Sequence, residues 1–264
     1  MQLNARLVET LAAASVEVLR ETEISPLLLL CEHAGAEIPA PWANLGLDPA
    51  FLSTHYAWDP GVDGLTRDLS QRLGAPAVLT RYSRIFTDYN RFANDWDHMR
   101  PDLGGIPVPG NQRISPEERS LRRAIAVHPV ERAIRQLVDG RRAVVSVHSF
   151  TPVMAGEERA VDIGILWRED TPFTRAALDG LQRLGPGRGF RIGDNAPYDW
   201  NKVDAYSLDA HGLRRGLPCF YLEINNSLFG TERAALIAPL LAEILTDALE
   251  LAGFQGKSRS VTTG

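Results

Sequence analysis

Residues 26–35 read Pro-Leu-Leu-Leu-Leu-Cys-Glu-His-Ala-Gly, and this stretch decides the fold. Leu27 to Cys31 is an unbroken apolar run. A strand with one wet face would alternate, so continuous hydrophobicity predicts a strand covered on both faces, as in a parallel sheet. The run is far too short to cross a bilayer, which takes about 20 apolar residues. It stops abruptly at Glu32-His33, and a glycine-containing turn follows. In open α/β sheets, ligands bind beyond the carboxyl ends of the strands, so residues at such ends are the first candidates for chemistry.

Working outward, Leu7, Leu11, Val16 and Leu19 have helical spacing and predict a helix over 5–21. A helix over 61–73 and a strand from Ala77 to Thr80 follow. The polar, Gly/Pro-rich stretch from Arg81 to Arg113 is long for a connection in a compact domain unless it has a task. Ser115-Pro116-Glu117-Glu118 is a helix start, with Ser115 as cap and Glu118 completing the capping box. That helix should run towards Gly140, bent or broken at Pro129. Strands are expected from Ala143 to Val147, ending at His148, from Val161 to Trp167 and from Cys219 to Ile224. Thr171 to Leu184 and 231–252 read as helices, 185–216 as mostly loop, and 256–264 as a disordered polar tail. Strands alternating with helices predict a three-layer α/β fold: one domain over 1–264, with a mainly parallel or mixed central sheet and helices on both faces.

Composition narrows the function. The 264 residues carry a net charge of -5 and are 44% hydrophobic, ordinary for a globular protein. No global basic field or basic–aromatic stripe invites nucleic acid. The pairs Arg122-Arg123 and Arg214-Arg215 read as solvated faces. Two cysteines, Cys31 and Cys219, sit in apolar strands and read as buried free thiols, which fits a reducing cytoplasm. No signal-peptide pattern or membrane span is visible, so a soluble cytoplasmic protein is expected. Oligomeric state is not legible.

Three strand ends carry chemistry: Glu32-His33, His148-Ser149 and the Leu222-Glu223-Ile224 segment. Imidazole and carboxylate are the usual ligands of a catalytic zinc, so His33 and His148 are candidate metal ligands. Glu223, flanked by apolar neighbours, needs a partner or a task because burying a lone carboxylate is costly. It reads as a general acid or base, the alternative being an ion pair with a buried arginine. Asp59, His55 or Glu32 is the candidate third ligand. His55 and Asp59 would share a helix face, although Asp59-Pro60-Gly61 also reads as a plain turn. Arg84, Asp88, Asn90 and Arg91 cluster after the second strand. Arginine forks suit an anionic substrate; the alternative is an internal Arg–Asp network pinning the loop. Asn195 lies in a turn-forming Asp-Asn-Ala-Pro segment that is a weaker contact candidate.

The runs Glu32-His33-Ala34-Gly35, Trp58-Asp59, Tyr82-Ser83-Arg84 with Asp88, Asn90 and Arg91, His148-Ser149-Phe150-Thr151-Pro152, Gly193 to Tyr198 and Leu222-Glu223-Ile224 together resemble the N-formylglutamate amidohydrolase family, over about 27–250. The resemblance implies a phosphorylase/hydrolase-like fold akin to zinc exopeptidases. It implies hydrolysis of a formyl or acyl amide, with N-formyl-L-glutamate giving formate and L-glutamate as the family's named reaction, usually in histidine utilisation. It implies His33 and His148, with Asp59 as a third, as metal ligands for zinc (another divalent metal being an option) and Glu223 as acid/base; beside that, Arg84 and Arg91, and more weakly Arg159, are the candidates to hold the carboxylates of a small anionic substrate. Two positions depart from many relatives: Ala160-Val161 follows Arg159 in place of Pro-Trp, and Asn225 stands in place of arginine. The competing readings are a carboxypeptidase- or aspartoacylase-like deacylase of another substrate and a non-catalytic binder of acidic small molecules.

Overall fold

The computed structural model describes residues 3–154 and 156–254; the tail expected at 256–264 lies outside them. The strands are β1 (Val16–Leu19), β2 (Leu27–Cys31), β3 (Ala77–Thr80), β4 (Ala143–Phe150), β5 (Val153–Met154), β6 (Glu157–Glu158), β7 (Ile163–Leu166), β8 (Ile192–Asp194) and β9 (Cys219–Asn225). The helices are α1 (Ala5–Ala14), α2 (Val62–Leu73), α3 (Pro116–Ala126), α4 (His128–Val138), α5 (Pro172–Leu184), α6 (Tyr206–His211) and α7 (Ala234–Leu251). Seven strands form one mixed sheet in the order β1-β3-β2-β4-β9-β7-β8, and β5 and β6 form a separate small hairpin. The inner strands β3, β2, β4 and β9 run parallel; β1 is antiparallel to β3, and β7 is antiparallel to β9 but parallel to the edge strand β8.

The apolar run at 27–31 behaves as its composition demands. Leu27, Leu29 and Cys31 pack with α2, α5 and α7 on one face of the sheet. Leu28 and Leu30 pack with α4 and α6 on the other. The result is a three-layer α/β architecture. Both cysteines are buried and free. No described helix is long and apolar enough to cross a membrane.

Several boundaries differ from the sequence expectation. The helix expected over 5–21 ends at Ala14, and Val16–Leu19 instead adds an edge strand against β3. Helical spacing could not reveal this, because the pairing is made with a segment some sixty residues away. Pro129 does break the predicted long helix, separating α3 from α4. The region 185–216, expected to be mostly loop, holds β8 and α6. Arg122 is not solvated: it is 1% exposed, bound to Glu118 and Asn111. These contacts anchor the long 81–113 connection, since Asn111 also donates to the carbonyls of Ile85 and Arg100.

Candidate active site

Parallel neighbours deliver the key side chains to one rim. β2 ends next to Glu32 and His33, and β4 carries His148 within its own ladder, directly opposite Glu223 on β9. Asp59 arrives from a distant turn because its backbone N–H donates to the His33 carbonyl at 2.9 Å. The turn after His33 requires a glycine: a Cβ at Gly35 would collide with the Arg81 backbone carbonyl.

At this rim the Nδ1 atoms of His148 and His33 lie 2.9 Å and 3.6 Å from the same oxygen, Asp59 Oδ2. The two imidazoles meet edge to face, with ring centroids 4.8 Å apart. Each ring presents its other nitrogen to a buried carboxylate: His33 Nε2 to Asp88 at 2.8 Å and His148 Nε2 to Glu32 at 3.0 Å. Ser146 also donates to Glu32, and Arg84 pairs with the remaining oxygen of Asp59. All of these side chains except Arg84 are buried.

This arrangement fits a cation. Metal-binding histidines usually donate their second N–H to a carboxylate, which leaves the first nitrogen's lone pair facing the ion. With Nε2–H of each ring given to Asp88 or Glu32, both Nδ1 atoms face the Asp59 oxygen. His33 Nδ1 is buried and has no hydrogen-bond partner. Candidate ligand atoms from His33, Asp59 and His148 all lie within 4.8 Å of one another. Burial, reinforced by the Arg84 charge, lowers the His33 imidazole to about 4, so the ring is neutral at neutral pH, as a ligand must be. Burial alone would raise the Glu32 carboxyl, but His148 and Ser146 hold it at about 2. Asp88, likewise opposed by burial, is held well below the usual carboxylate range by His33, Arg91 and Arg84.

Glu223 faces this group and differs from the other acids. Burial pushes its carboxyl up to about 7, against the opposing pull of His148, Arg84 and Arg159. Its Oε2 is buried without a partner. The group opens into a cavity of about 640 Å³ walled by Tyr56, Arg84, Arg91, Arg100, Tyr198 and Trp200 among others. A buried imidazole pair, carboxylates and a poised acid at a strand-end cavity form an arrangement suited to activating water.

The family profile of N-formylglutamate amidohydrolase matches residues 25–230, which include every residue named in this site. The chain belongs to that family. Among solved structures, a gene product of Agrobacterium tumefaciens is 34% identical, with 92% of this chain and 97% of that one covered and a TM-score of 0.82. An N-formylglutamate amidohydrolase from Ralstonia eutropha JMP134 shares the fold at 18% identity, covering 90% of this chain and 98% of that one, with a TM-score of 0.66. A curated porphobilinogen deaminase of Corynebacterium aurimucosum is 26% identical over 142 residues, 52% of this chain, and the chain spans 46% of that protein's length.

Within this amidohydrolase family member, the structure brings together His33, Asp59, His148 and Glu223, and it places Arg84, Asn90 and Arg91 on the cavity wall. His55 lies on the same wall but outside the ligand group, stacked near Tyr56. Glu32 supports His148 from behind. Three of the expected substrate contacts bond to other parts of the protein. Asp88 is turned inward, its carboxylate spent on His33 and on the Asn90 N–H. Asn195 uses both ends of its amide on the Trp167 backbone, where it closes the loop after β8. Arg159 stacks on Tyr198 of the cavity wall and donates to the Tyr198 hydroxyl and the Thr151 carbonyl. The sequence reading missed Arg100 on the wall. Its signal was faint: one more arginine in the long connection already marked by its length.

Proposed function

We propose that this chain is a metal-dependent amidohydrolase that cleaves the amide of a small N-acyl amino acid, with N-formyl-L-glutamate yielding formate and L-glutamate as the first candidate. The observation that carries this reading is the convergence of two imidazole Nδ1 atoms on the Asp59 carboxylate, with Glu223 opposite His148 on the neighbouring strand. Family membership supports the amide chemistry.

His33, Asp59 and His148 would hold the cation, and two imidazoles with one carboxylate suit a catalytic zinc. When bound, such an ion supplies Lewis acidity, polarising a carbonyl and lowering the pKa of water. Glu223 takes the proton of the attacking water and returns it to the nitrogen of the departing amino acid. Arg84 places guanidinium charge beside the same group of ligands, where it stabilises the oxygen that gains negative charge. Arg91, on the wall beside Asn90, offers donors to a substrate carboxylate. Asp88 and Glu32 fix the orientation of the two imidazoles throughout.

The test is formate release from N-formyl-L-glutamate by the zinc-loaded protein, compared with His148→Ala. The variant should stay folded and lose at least about a thousandfold in turnover, on the scale of removing a central catalytic group. Full activity in the folded variant would reject the assignment.

A further inference from the structure

Glycines on neighbouring strands bring one more polar group to the rim. Gly164 on β7 lies opposite Glu223 on β9 and is paired with Gly193 on β8. A Cβ at either glycine would collide with the Ala196 backbone carbonyl. The 194–198 segment therefore rests directly on the sheet beside Glu223. Asn195 locks it there: its N–H donates to the Ile165 carbonyl at 2.9 Å, and its side chain bonds the Trp167 N–H and carbonyl at 2.8 Å and 2.9 Å. The segment ends on Tyr198, which shares the cavity wall with His33, His148, Arg84 and Glu223. The Tyr198 ring meets Phe150 edge to face, with centroids 6.4 Å apart. Phe150 ends the strand that carries His148, so Tyr198 reaches back across Glu223 towards the proposed ligands.

The Tyr198 hydroxyl is held from one side only. Arg159 donates to its oxygen at 2.6 Å, with the guanidinium 4.5 Å from the Tyr198 ring centroid. Arg159 is fixed in turn by the Thr151 carbonyl and the Phe150 ring. A tyrosine hydroxyl both donates and accepts; here the oxygen is engaged, while the O–H proton has no acceptor among the described residues. A charged N–H on the oxygen also polarises the O–H and makes it a stronger donor. Burial and the Glu223 charge push the phenol up to about 12, against the pull of Arg159 and Arg84, so it keeps its proton at neutral pH. Arg84, the other donor near the reacting oxygen, is partly committed to Asp59. We infer that Tyr198 is a further catalytic residue, its O–H donating to the oxygen of the scissile amide as that oxygen gains negative charge, with Arg159 as its positioning residue. This inference rests on the amidohydrolase reading above. No bond to Tyr198 is made or broken, and the phenol keeps its proton; proton transfer is left to Glu223. A fixed donor aimed at developing charge speeds the step and adds little to substrate binding.

The experiment compares the wild type with Tyr198→Phe, which deletes only the hydroxyl, with Arg159→Met and with the double variant. Each is loaded with zinc, checked for folding by circular dichroism, and assayed on N-formyl-L-glutamate and N-acetyl-L-glutamate. Tyr198→Phe should lose about a hundredfold in kcat, the scale of one oxyanion donor, with KM within about threefold of wild type. Binding of N-methylphosphonyl-L-glutamate, a tetrahedral mimic of the attacked amide, should weaken by a similar factor. Arg159→Met should lose less, also in kcat, and the double variant should be no worse than Tyr198→Phe, because Arg159 acts through the hydroxyl. A kcat in folded Tyr198→Phe within about threefold of wild type overturns the inference. So does a loss confined to KM, which would make Tyr198 an anchor for the substrate in place of a donor to the reacting oxygen. Losses that multiply in the double variant overturn the role given to Arg159. Each of these results, obtained beside an active wild type, leaves the hydrolase reading intact. A wild type that hydrolyses neither compound rejects that reading and this inference with it.

Discussion

Replacing Asp88 probes the site through a residue that stands behind His33 and outside the proposed ligand set. Asp88 Oδ1 accepts from His33 Nε2 at 2.8 Å and from the Asn90 backbone N–H at 2.9 Å, and the carboxylate is buried. Asp88→Ala leaves two buried donors without an acceptor, at about 1–3 kcal/mol each, so a loss of roughly 2–6 kcal/mol in folding stability is expected. The same change frees the His33 ring to rotate or to shift its proton to Nδ1, the nitrogen that faces Asp59. Losing such a carboxylate–histidine contact typically weakens metal binding about 10- to 100-fold, equivalent to about 1.4–2.8 kcal/mol. Asp88→Asn keeps an acceptor of similar shape and loses only the charge, so it should fall at the low end of that range and cost less stability. Zinc affinity by competition with a chromophoric chelator, with circular dichroism to confirm folding, gives both numbers. A folded Asp88→Ala protein that binds zinc within about twofold of wild type would refute the claim that Asp88 orients His33.

Further outcomes follow from other parts of the molecule. Gly35→Ala should destabilise the protein by at least about 3 kcal/mol, because its new Cβ meets the Arg81 backbone and not a movable side chain; a thermal melt shows this, and a wild-type melting temperature would contradict it. Leu29→Ala, in the strand buried on both faces, should cost about 2–5 kcal/mol in urea unfolding. Asp162 is opposed by burial, yet Arg191 and Arg233 hold it at about 2. Since its folded pKa lies below its unfolded value, its contribution is fully present above about pH 4. It is lost as pH falls towards 2, and Asp162→Asn should flatten that segment of the stability–pH curve; an unchanged slope would dismiss the pairing as a source of acid sensitivity.

Much of the fold is legible in the chain because burial on both faces leaves a strong mark. The run at 27–31 announces an inner strand, and its polar terminus points to His33. Glu223 stands out for the same reason, as a carboxylate among apolar neighbours. The strand at Val16–Leu19 and the short helix Tyr206–His211 do not stand out, since neither has a pattern long enough to outweigh its flanks. The roles of the acids were the least legible part of the site. Asp59, Asp88 and Glu32 look alike in sequence, and only the packed structure shows which one faces the cavity and which two stand behind the imidazoles. The same holds for the arginines. Composition shows a basic cluster after β3, but the commitment of Arg84 to Asp59 and of Arg91 to Asp97 depends on long-range folding and loop closure.

The most direct test of the account is an anomalous difference map at the zinc edge from crystals of the protein grown with zinc. The account predicts one strong peak between His33, Asp59 and His148, about 2.0–2.2 Å from a ligand atom of each, with Glu223 facing it from the next strand. A folded protein whose zinc binds elsewhere, with those three side chains still bonded only to one another, would contradict it.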